Sequence, residues 1–510
     1  MITSERMAAV DANAAALGVP RKQLMESSGN AIARAVRDAA DPGSSVTLVC
    51  GQGNNGGDAF VAARFLSAYD VRVVLLGRPE SIATRIAREN WDALERAEIP
   101  RETATDSSVF DPGHSESTSR PIEDPDVADA IPGDPDVVVD AMLGTGVSGA
   151  LREPERSAAT WINGTRDAGA TVIAVDVPSG IDADTGEPTG KPTDGNDSVV
   201  VEADHVVTFH DEKPGLAALD ASVTVADIGI PPAAELFTGP GDLRAVARNP
   251  ESHKGDNGTV LVVGGGPYTG APALSARAAL RAGADLARVA CPRTVAREVQ
   301  GYSPDLIVHS VPGDVLAHTH VDAVMQLAAE VDVVVLGPGL GDDAGTRAFT
   351  EHFLGEFTGR AVVDADALAS VPEVETKAEL ICTPHQGELV EMGGETHADP
   401  RTRSDLVREF ARDLGVTMLV KGAVDVVAAA DGEHVRLNRT GNPGMTVGGT
   451  GDVLAGTVGA LAATIDPFQA AAIGAYVTGD AGDRAAETHG YGLVATDLID
   501  RLPQALYNDE

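Results

Sequence analysis

Basic residues, cysteine and long apolar runs are what this sequence has least of. It carries 38 Lys and Arg against 77 Asp and Glu in 510 residues, a formal net charge of −39. Such a chain repels nucleic acid and anionic membranes, so we expect neither as a partner. The acidic residues are spread through segments with apolar periodicity, which argues against a disordered acidic tail. The composition favours a hydrated acidic surface suited to a salt-rich, halophilic cytoplasm.

The sequence contains three cysteines. Cys50, Cys291 and Cys382 lie far apart, show no metal-ligand spacing and belong to apolar strand-like runs. They predict buried free thiols in a reducing compartment. The N-terminal stretch has no apolar core of signal-peptide length, and no uncharged apolar run approaches the roughly 18 residues of a membrane span. We therefore expect a soluble, cytoplasmic protein.

The length exceeds what one hydrophobic core usually supports, so two or more domains are expected. Short β-branched runs alternate with amphipathic, alanine-rich segments. This alternation predicts an α/β fold with mostly parallel sheets, in which ligands bind beyond the carboxyl ends of the strands. The polar composition of residues 101–136 and 182–197 predicts solvated loops. We expect the boundary between the two domains within residues 237–251. The main predicted strands are Val46–Cys50, Val71–Leu76, Val137–Val139, Val172–Val175, Val260–Val263, Val333–Leu336 and Val362–Val363.

Three loops of the first half carry candidate chemistry. GQGNNGGD (51–58) precedes a helix predicted to open at AFVAARFL, and a helix N-terminus favours anions. DAMLGTGVSGA (140–150) and DVPSGID (176–182) each place an aspartate at a strand end. Such an aspartate can simply cap the next element. Three loops from one sheet can nevertheless converge on one cleft, where two carboxylates can manage protons and hold a cation.

Together with LMESSG (24–29), ADHVVTFHDEKPGL (203–216) and DIGIP (227–231), these motifs resemble the NAD(P)H-hydrate epimerase family over residues 1–237. The resemblance implies a Rossmann-like three-layer domain and a potassium ion held by Asn55, Asp140 and Ser179. Asp140 is also our candidate catalytic acid/base. The insertion at 101–136 departs from the family pattern and has no assigned role. The substrate-binding residues implied are Asn54, Asn55, Gly56, Gly57, Asp58, Gly144, Thr145, Gly146, Val147, Ser148, Gly149, Ala150 and Asp176.

The second half is dominated by NRTGNPGMTVGGTGDVLAG (438–456). Its residues Gly448 to Gly451 predict a loop whose backbone N–H groups face a phosphate, followed by a helix from Val453. Asp452, at the helix start, could take the proton from a substrate hydroxyl while the loop stabilises a transferred phosphoryl group. The alternative is that Asp452 is only an N-cap, which needs no chemistry.

This pattern is ribokinase-like. With HKGDNGTVLVVGG (253–265), GAPALSARAALRAGA (270–284), GPGLG (337–341) and TPHQGE (383–388), it resembles the ADP-dependent NAD(P)H-hydrate dehydratase family over about 245–505, so we assign 245–510 as a ribokinase-like α/β domain. Gln386 replaces the usual proline, which should alter loop stiffness rather than chemistry. The resemblance implies Mg²⁺ and ADP as cofactors. It implies substrate contacts by Ala271, Gly339, His385 and Asp452, and AMP or ADP contacts by Lys421, Gly422, Ala423, Val424, Asp425 and Gly451.

The two resemblances imply repair of hydrated NADH and NADPH: epimerisation of the R and S hydrates, and ADP-dependent dehydration of the S hydrate with AMP and phosphate as products. A homo-oligomer is expected. One alternative is a small-molecule kinase behind a nucleotide-binding module, which would accumulate a phosphorylated product. Another is a non-catalytic N-terminal module, against which Asp140 and Asp176 argue.

Overall fold

The computed structural model describes residues 1–110, 134–146, 149–190 and 198–507. Internal contacts divide the chain into two compact units, Met1–Pro231 and Pro232–Glu510. The sequence-based junction, 237–251, lies a few residues later. Phe237 pairs with Leu437, and the Thr238 N–H donates to the Leu437 carbonyl (2.9 Å). The segment after Pro231 therefore packs with the second unit.

The first unit is built on a parallel sheet of seven strands in the order β3-β2-β1-β4-β5-β6-β7. Its direction of growth reverses between β1 and β4, which is where ligands bind in open α/β sheets. Helices α2 and α3 pack on one face and α5 on the other. The strands are β1 (Ser45–Cys50), β2 (Asp70–Leu76), β3 (Arg101–Ala104), β4 (Val137–Ala141), β5 (Thr171–Val175), β6 (His205–Phe209) and β7 (Ser222–Ala226). The helices are α1 (Ser4–Ala16), α2 (Arg21–Ala39), α3 (Asn54–Phe65), α4 (Arg85–Arg96) and α5 (Glu155–Asp167).

The second unit contains nine strands in the order β10-β9-β8-β11-β12-β13-β14-β15-β16, parallel up to β14 and antiparallel at β15 and β16. Its switch point lies between β8 and β11. The strands are β8 (Thr259–Val263), β9 (Leu286–Pro292), β10 (Ile307–Val311), β11 (Val333–Leu336), β12 (Arg360–Val363), β13 (Glu379–Cys382), β14 (Thr417–Val420), β15 (Asp425–Ala428) and β16 (Val435–Asn438). The helices are α6 (Pro232–Leu236), α7 (Gly270–Arg281), α8 (Arg293–Gly301), α9 (Val321–Ala328), α10 (Ala344–Glu356), α11 (Gln386–Glu391), α12 (Pro400–Leu414), α13 (Thr450–Ala462), α14 (Pro467–His489) and α15 (Ala495–Tyr507).

Both faces of the second sheet are covered. In β8, Val260 and Val262 pack with α7 and α13, whereas Leu261 and Val263 pack with α9 and α10. Burial on both faces explains why the strands read as continuous apolar runs. The α/β fold class predicted from the sequence, with parallel sheets in both halves, is confirmed.

The three cysteines are free and fully buried at the ends of β1, β9 and β13. Burial raises the pKa of the Cys291 thiol to about 11 and that of Cys382 to about 12. Such thiols are poor nucleophiles at neutral pH. No helix within the described residues is long and apolar enough to cross a membrane.

One predicted loop is partly regular. Residues Arg101–Ala104 form β3 and pair with β2, and Ser107–Phe110 form a short 3₁₀ helix, so the start of the segment 101–136 is not a solvated loop. Thr103 and Ala104 are buried in this pairing, which the polar composition concealed. Residues 111–133 lie outside the described part of the chain. In the second segment Ile181 bridges to Pro188, and residues 191–197 are likewise not described.

Two functional helices begin earlier than the sequence predicts. Helix α3 begins at Asn54 rather than Ala59, and α13 begins at Thr450 rather than Val453. Glycine disfavours helix interiors, so Gly56 and Gly57 were expected in a loop. Packing outweighs that preference, because these glycines allow α3 to approach neighbouring backbone and side chains closely.

Close approach of α13 and α7 generates a stability prediction. A Cβ at Gly456 would collide with the Ser275 carbonyl oxygen. We expect Gly456→Ala to lower the free energy of unfolding by about 1–3 kcal/mol, measured by denaturant unfolding. The matched control is Gly355→Ala in α10, whose Cβ would lie 3.6 Å from Val374 Cγ1, so it should be neutral or stabilising by up to about 1 kcal/mol. Equal effects of the two substitutions would contradict this account of the packing.

Candidate active sites

The first site lies at the switch point of the first sheet, beyond the carboxyl ends of β1 and β4. Asn55, in the first turn of α3, donates from Nδ2 to the carbonyl oxygens of Leu143 (3.1 Å) and Val175 (2.9 Å). A Cβ at Gly144 would lie 2.5 Å from Asn55 Oδ1, so a side chain there would disturb this arrangement. One amide thus joins the loops after β1, β4 and β5, and the structure brings the three predicted loops together.

Asp140 and Ser179 are each 1% exposed. The Ser179 hydroxyl accepts from the N–H of Leu143 (3.1 Å), the residue whose carbonyl accepts from Asn55. Asp140 accepts hydrogen bonds from the Ser179 N–H (2.7 Å), the Ser179 hydroxyl (2.7 Å) and the Met142 N–H (3.2 Å). Burial raises the pKa of Asp140 to about 6, although the hydrogen bonds from Ser179 and Met142 oppose the rise. Asp140 lies within β4 rather than after it, so the sheet itself holds the carboxylate.

Asp176 follows β5 with a left-handed backbone, φ 65°. Its Oδ1 forms an ion pair with the fully buried Lys213 (2.7 Å). Asp58, on α3, is also buried; burial raises its pKa well above the usual range, and the nearby carboxylates of Asp176 and Asp11 add to the rise. The site therefore groups several buried carboxyl groups around one buried cation.

The remaining residues predicted in the first half are placed differently. A Cβ at Gly57 would lie 2.8 Å from Met25 Cε, and one at Gly56 would collide with the Gly51 carbonyl, so these buried glycines serve helix packing. Asn54 is exposed at the start of α3. The turn after β4 is partly or fully exposed at Thr145, Gly146, Gly149 and Ala150, while Val147 and Ser148 lie outside the described residues.

The second site is centred on the N-terminus of α13. Gly449 is the N-cap, with a left-handed φ of 97°, and Asp452 lies in the first helical turn. Asp452 is therefore not the N-cap, which removes the purely structural alternative for this residue. Its carboxylate makes no hydrogen bond or ion pair with any described residue, whereas its carbonyl accepts the Ser275 hydroxyl (2.8 Å).

The pKa of Asp452 is raised to about 7, first by burial and then by repulsion from Asp364 and Asp366; Lys421 opposes the rise. A carboxyl group with a pKa near neutrality can act as a general base. Free of partners and close to its ionisation midpoint, Asp452 has the properties that the predicted proton acceptor requires.

Lys421 supplies positive charge beside this turn. Its Nζ lies 2.9 Å from Asp364 Oδ1 and 3.8 Å from Glu388 Oε2. Burial favours the neutral amine, but these carboxylates outweigh burial and raise the pKa of Lys421. A Cβ at Gly451 would lie 3.4 Å from Lys421 Nζ, so the ammonium group adjoins the phosphate-type turn of α13.

The predicted nucleotide segment, 421–425, is a turn closed by its own last residue. Asp425 accepts from the Gly422 N–H (2.8 Å) and from Asn438 Nδ2 (2.9 Å). Burial raises the pKa of Asp425 to about 6. The Arg403 guanidinium donates to the Val424 carbonyl. The turn is thus held by its own hydrogen bonds and by those of Asn438 and Arg403.

His385 is the N-cap of α11. Its Nδ1 accepts from the Glu388 N–H (3.0 Å), and Glu388 Oε2 accepts from the His385 N–H (2.7 Å). The His385 side chain is 60% exposed, so capping leaves the ring free to meet a ligand. The Lys421 N–H donates to the Pro384 carbonyl (2.9 Å), which places His385 next to the Lys421 segment.

Ala271 and Gly339 are brought together at the switch point of the second sheet. A Cβ at Gly339, where φ is 70°, would lie 3.2 Å from the Ala271 Cβ. The Gly341 N–H donates to Asp366 (2.7 Å). Since Asp366 also acts electrostatically on Asp452, the GPGLG turn is connected to the first turn of α13.

Sequence reasoning missed several residues of these sites. Asp364 directly follows β12, whereas Glu388 and Lys213 lie several residues after β13 and β6. No local signal indicates which of these charged side chains, or Asp11 in α1, meets a distant partner.

Fold and sites define a bifunctional α/β enzyme with one acid–base site and one phosphoryl-transfer-type site. A family model described as NAD(P)H-hydrate dehydratase matches residues 260–504, and one described as YjeF-related protein N-terminus matches residues 21–215. The chain is 42% identical to the bifunctional NAD(P)H-hydrate repair enzyme Nnr of Methanothermobacter thermautotrophicus, over 98% of this chain and 94% of that one. It is also 42% identical to the Methanopyrus kandleri enzyme of the same name, over 99% and 97%. The chain belongs to the family of bifunctional NAD(P)H-hydrate repair enzymes.

Among solved structures, the ADP/ATP-dependent NAD(P)H-hydrate dehydratase from Bacillus subtilis, co-crystallised with ATP/Mg²⁺, is similar to part of the chain. It is 27% identical, with a TM-score of 0.45, over 52% of this chain and 94% of that chain.

The raised pKa of Asp452 predicts a pH-dependent stability. Its folded-state pKa, about 7, exceeds the usual 3.8, so the cost of the buried charge is absent below pH 4 and complete above pH 7. We expect Asp452→Asn to raise the free energy of unfolding by up to about 4 kcal/mol more at pH 8 than at pH 4, since each unit of pKa difference corresponds to about 1.4 kcal/mol. Denaturant unfolding at both pH values measures this. Equal effects of the substitution at the two pH values would contradict a carboxyl group whose ionisation is opposed by the fold.

Proposed function

We propose that this chain repairs hydrated NADH and NADPH, with an epimerase in residues 1–237 and an ADP-dependent dehydratase in residues 245–510. The observation that carries the proposal is the unpartnered Asp452 carboxylate in the first turn of α13, beside Lys421, in a chain that matches bifunctional repair enzymes over nearly its full length. The products of the dehydratase are NADH or NADPH, AMP and phosphate.

The chemistry suits this arrangement. Hydroxide is a poor leaving group from carbon 6 of the hydrated ring. The hydroxyl oxygen attacks the β-phosphorus of ADP as Asp452 accepts its proton, and AMP leaves. Loss of a proton from carbon 5 and of phosphate from carbon 6 then restores the ring double bond. Lys421 and the N-terminal N–H groups of α13 stabilise charge on the transferred group.

Within the dehydratase, we assign ligands from the family pattern. Ala271, Gly339, His385 and Asp452 contact the hydrated nucleotide. The turn 421–425 and Gly451 contact AMP or ADP. The hydrogen bonds of Asp425 to Gly422 and Asn438 support this, because a turn held in one conformation loses little entropy on binding. Mg²⁺ would be held largely by the ADP phosphates, whose charge it would screen. Carboxylates of the site, such as Asp364, could supply a further ligand.

Within the epimerase, Asp140 is the proposed acid/base, and its pKa of about 6 supports proton exchange near neutral pH. Substrate contacts are assigned to the residues Asn54–Asp58, to the turn Gly144–Ala150 and to Asp176. A potassium ion would be held by Asn55, Asp140 and Ser179. What supports this assignment is that Ser179 donates to Asp140 and that both Ser179 and Asn55 bond to the backbone of Leu143, and that carboxylate, hydroxyl and amide oxygens suit a hard cation. The ion would offset the buried charge of Asp140.

Cytoplasmic location, a salt-rich environment and a homo-oligomeric state belong to the same proposal. The acidic composition and the buried, unoxidised cysteines support the first two.

The direct test mixes R and S hydrated NADH with protein, ADP and Mg²⁺ and follows the recovery of NADH absorbance. Full recovery, with AMP and free phosphate, is expected. Recovery of only the S half would exclude the epimerase. A phosphorylated product that accumulates would identify a small-molecule kinase instead.

Asp452→Asn should abolish dehydration of pure S hydrate, by a factor on the order of 10²–10⁴, because a general base is lost. ADP binding and R-to-S interconversion should persist. The matched control is Asp322→Asn, which changes an exposed aspartate in the first turn of α9 and should leave the rate unchanged. Near-normal turnover of the Asp452 variant would refute its catalytic role.

Asp140→Asn should have the converse effect. The amide keeps the shape but cannot take up a proton or offset a cation. R-to-S interconversion, followed by chromatographic separation of the two hydrates, should be lost, while ADP-dependent dehydration of pure S hydrate is retained. Equal loss of both activities would contradict two independent sites.

A further inference from the structure

Lys213, in the segment after β6, has a fully buried side chain. A buried ammonium group is unfavourable unless its charge and its three donors are satisfied. Nζ donates to the Thr208 hydroxyl (3.0 Å) and to the carbonyl oxygens of Phe209 (2.9 Å) and Asp211 (3.4 Å). The end of β6 therefore fixes the position of this cation.

The negative partner of Lys213 is Asp176, with Nζ and Oδ1 2.7 Å apart. The Thr208 hydroxyl, which accepts from Lys213, donates to the same Oδ1 (3.0 Å), and the Phe209 N–H approaches it at 3.4 Å. All of these contacts use Oδ1. Asp176 Oδ2 accepts no hydrogen bond from any residue that the structure describes, and the Asp176 side chain keeps 11% of its surface exposed.

The backbone of Asp176 is held as firmly as its side chain. Its φ of 65° is a left-handed conformation that residues other than glycine adopt at a cost. The Asp176 N–H donates to the Val207 carbonyl (2.8 Å). Such strain persists where the surroundings over-determine the conformation, and it clusters at functional sites. Strand β6 constrains the backbone of Asp176 through Val207, and the segment that follows β6 constrains its side chain through Lys213.

Lys213 also distinguishes Asp176 from the carboxyl groups around it. Burial, followed by the charge of Asp176, raises the pKa of Asp58 well above its usual range, and burial is also the main cause of the raised pKa of Asp11. Lys213 opposes the rise at Asp11. Asp176 is the carboxylate of this group that contacts the ammonium directly.

We propose that Lys213 and Thr208 are positioning residues of the first site: they occupy Oδ1 of Asp176 and thereby direct Oδ2 to accept a hydrogen bond from the hydroxyl group of the hydrated nicotinamide ring. The inference rests on the proposed epimerase function, in which Asp176 contacts substrate. It assigns roles to two residues that touch Asp176 and not the substrate.

Paired variants of Thr208 test the inference in the full-length protein. Thr208→Val keeps the shape but removes the hydroxyl, and should lower kcat/KM for R-to-S interconversion by a factor on the order of 10², the cost of a misplaced reacting group. Thr208→Ser keeps the hydroxyl and should retain most of the activity. ADP-dependent dehydration of pure S hydrate by the same samples, together with their thermal unfolding, controls for folding.

A double-mutant cycle gives the second readout. Lys213→Met and Asp176→Asn should each reduce interconversion strongly, and the double variant should be no worse than Asp176→Asn alone, because residues that act as one unit are not additive. The inference would be overturned if the double variant lost activity by the product of the two single losses. Equal losses for Thr208→Ser and Thr208→Val would also overturn it and leave a packing role. A wild-type protein that dehydrates the S hydrate but does not interconvert the hydrates would instead refute the epimerase function itself.

Discussion

Both sites depend on the close approach of two backbone loops at the switch point of each parallel sheet. Where neighbouring strands lead to opposite sides of the sheet, the loops that follow them pass so closely that no side chain fits. A Cβ at Gly51 would collide with the Met142 carbonyl, and one at Gly264 with the Pro338 carbonyl. Next to the switch point of the second sheet, between β11 and β12, a Cβ at Gly337 would likewise collide with the Asp364 carbonyl. These contacts hold the loop after one strand against the loop after the next. They also leave helix N-termini and strand-end carboxylates facing the same cleft, which is the arrangement that anionic ligands require.

Burial of carboxyl groups is the second feature that the two units share. The pKa values of Asp140 and Asp452 are raised chiefly by desolvation, to about 6 and about 7, and not by hydrogen bonding. Each group is partly compensated: Asp140 by Ser179, and Asp452 at a distance by Lys421. Burying these two carboxyl groups costs stability at neutral pH, where they carry charge, and groups with such raised pKa values are common at functional sites.

Much of the architecture could be predicted from the sequence, because the spacing of apolar residues and the glycine-rich turns are local signals. The strands at Val333–Leu336 and Val172–Val175 were placed to within a residue. Helix starts were predicted less well, since α3 and α13 include glycines that local propensity would exclude. Strand β3 was missed for a related reason: RETA has a polar composition, and only its pairing with β2 makes it a strand. Asp364, Asp11 and Lys213 were missed as site residues because nothing local indicates which distant partner a charged side chain will meet.

The sequence by itself determined the fold class, the family and the order of the two halves, because these depend on motifs that remain contiguous along the chain. It could not determine whether Asp452 is a cap or a free base. That depended on where α13 begins: the helix starts at Thr450, which leaves Asp452 in its first turn and not at its N-cap. Nor could it reveal that Lys213 and Asp176, 37 positions apart by their numbers in the chain, form one buried ion pair. Pairing of β5 with β6 brings them together, and only a folded sheet removes both from water, which is the physical condition that makes their contact strong.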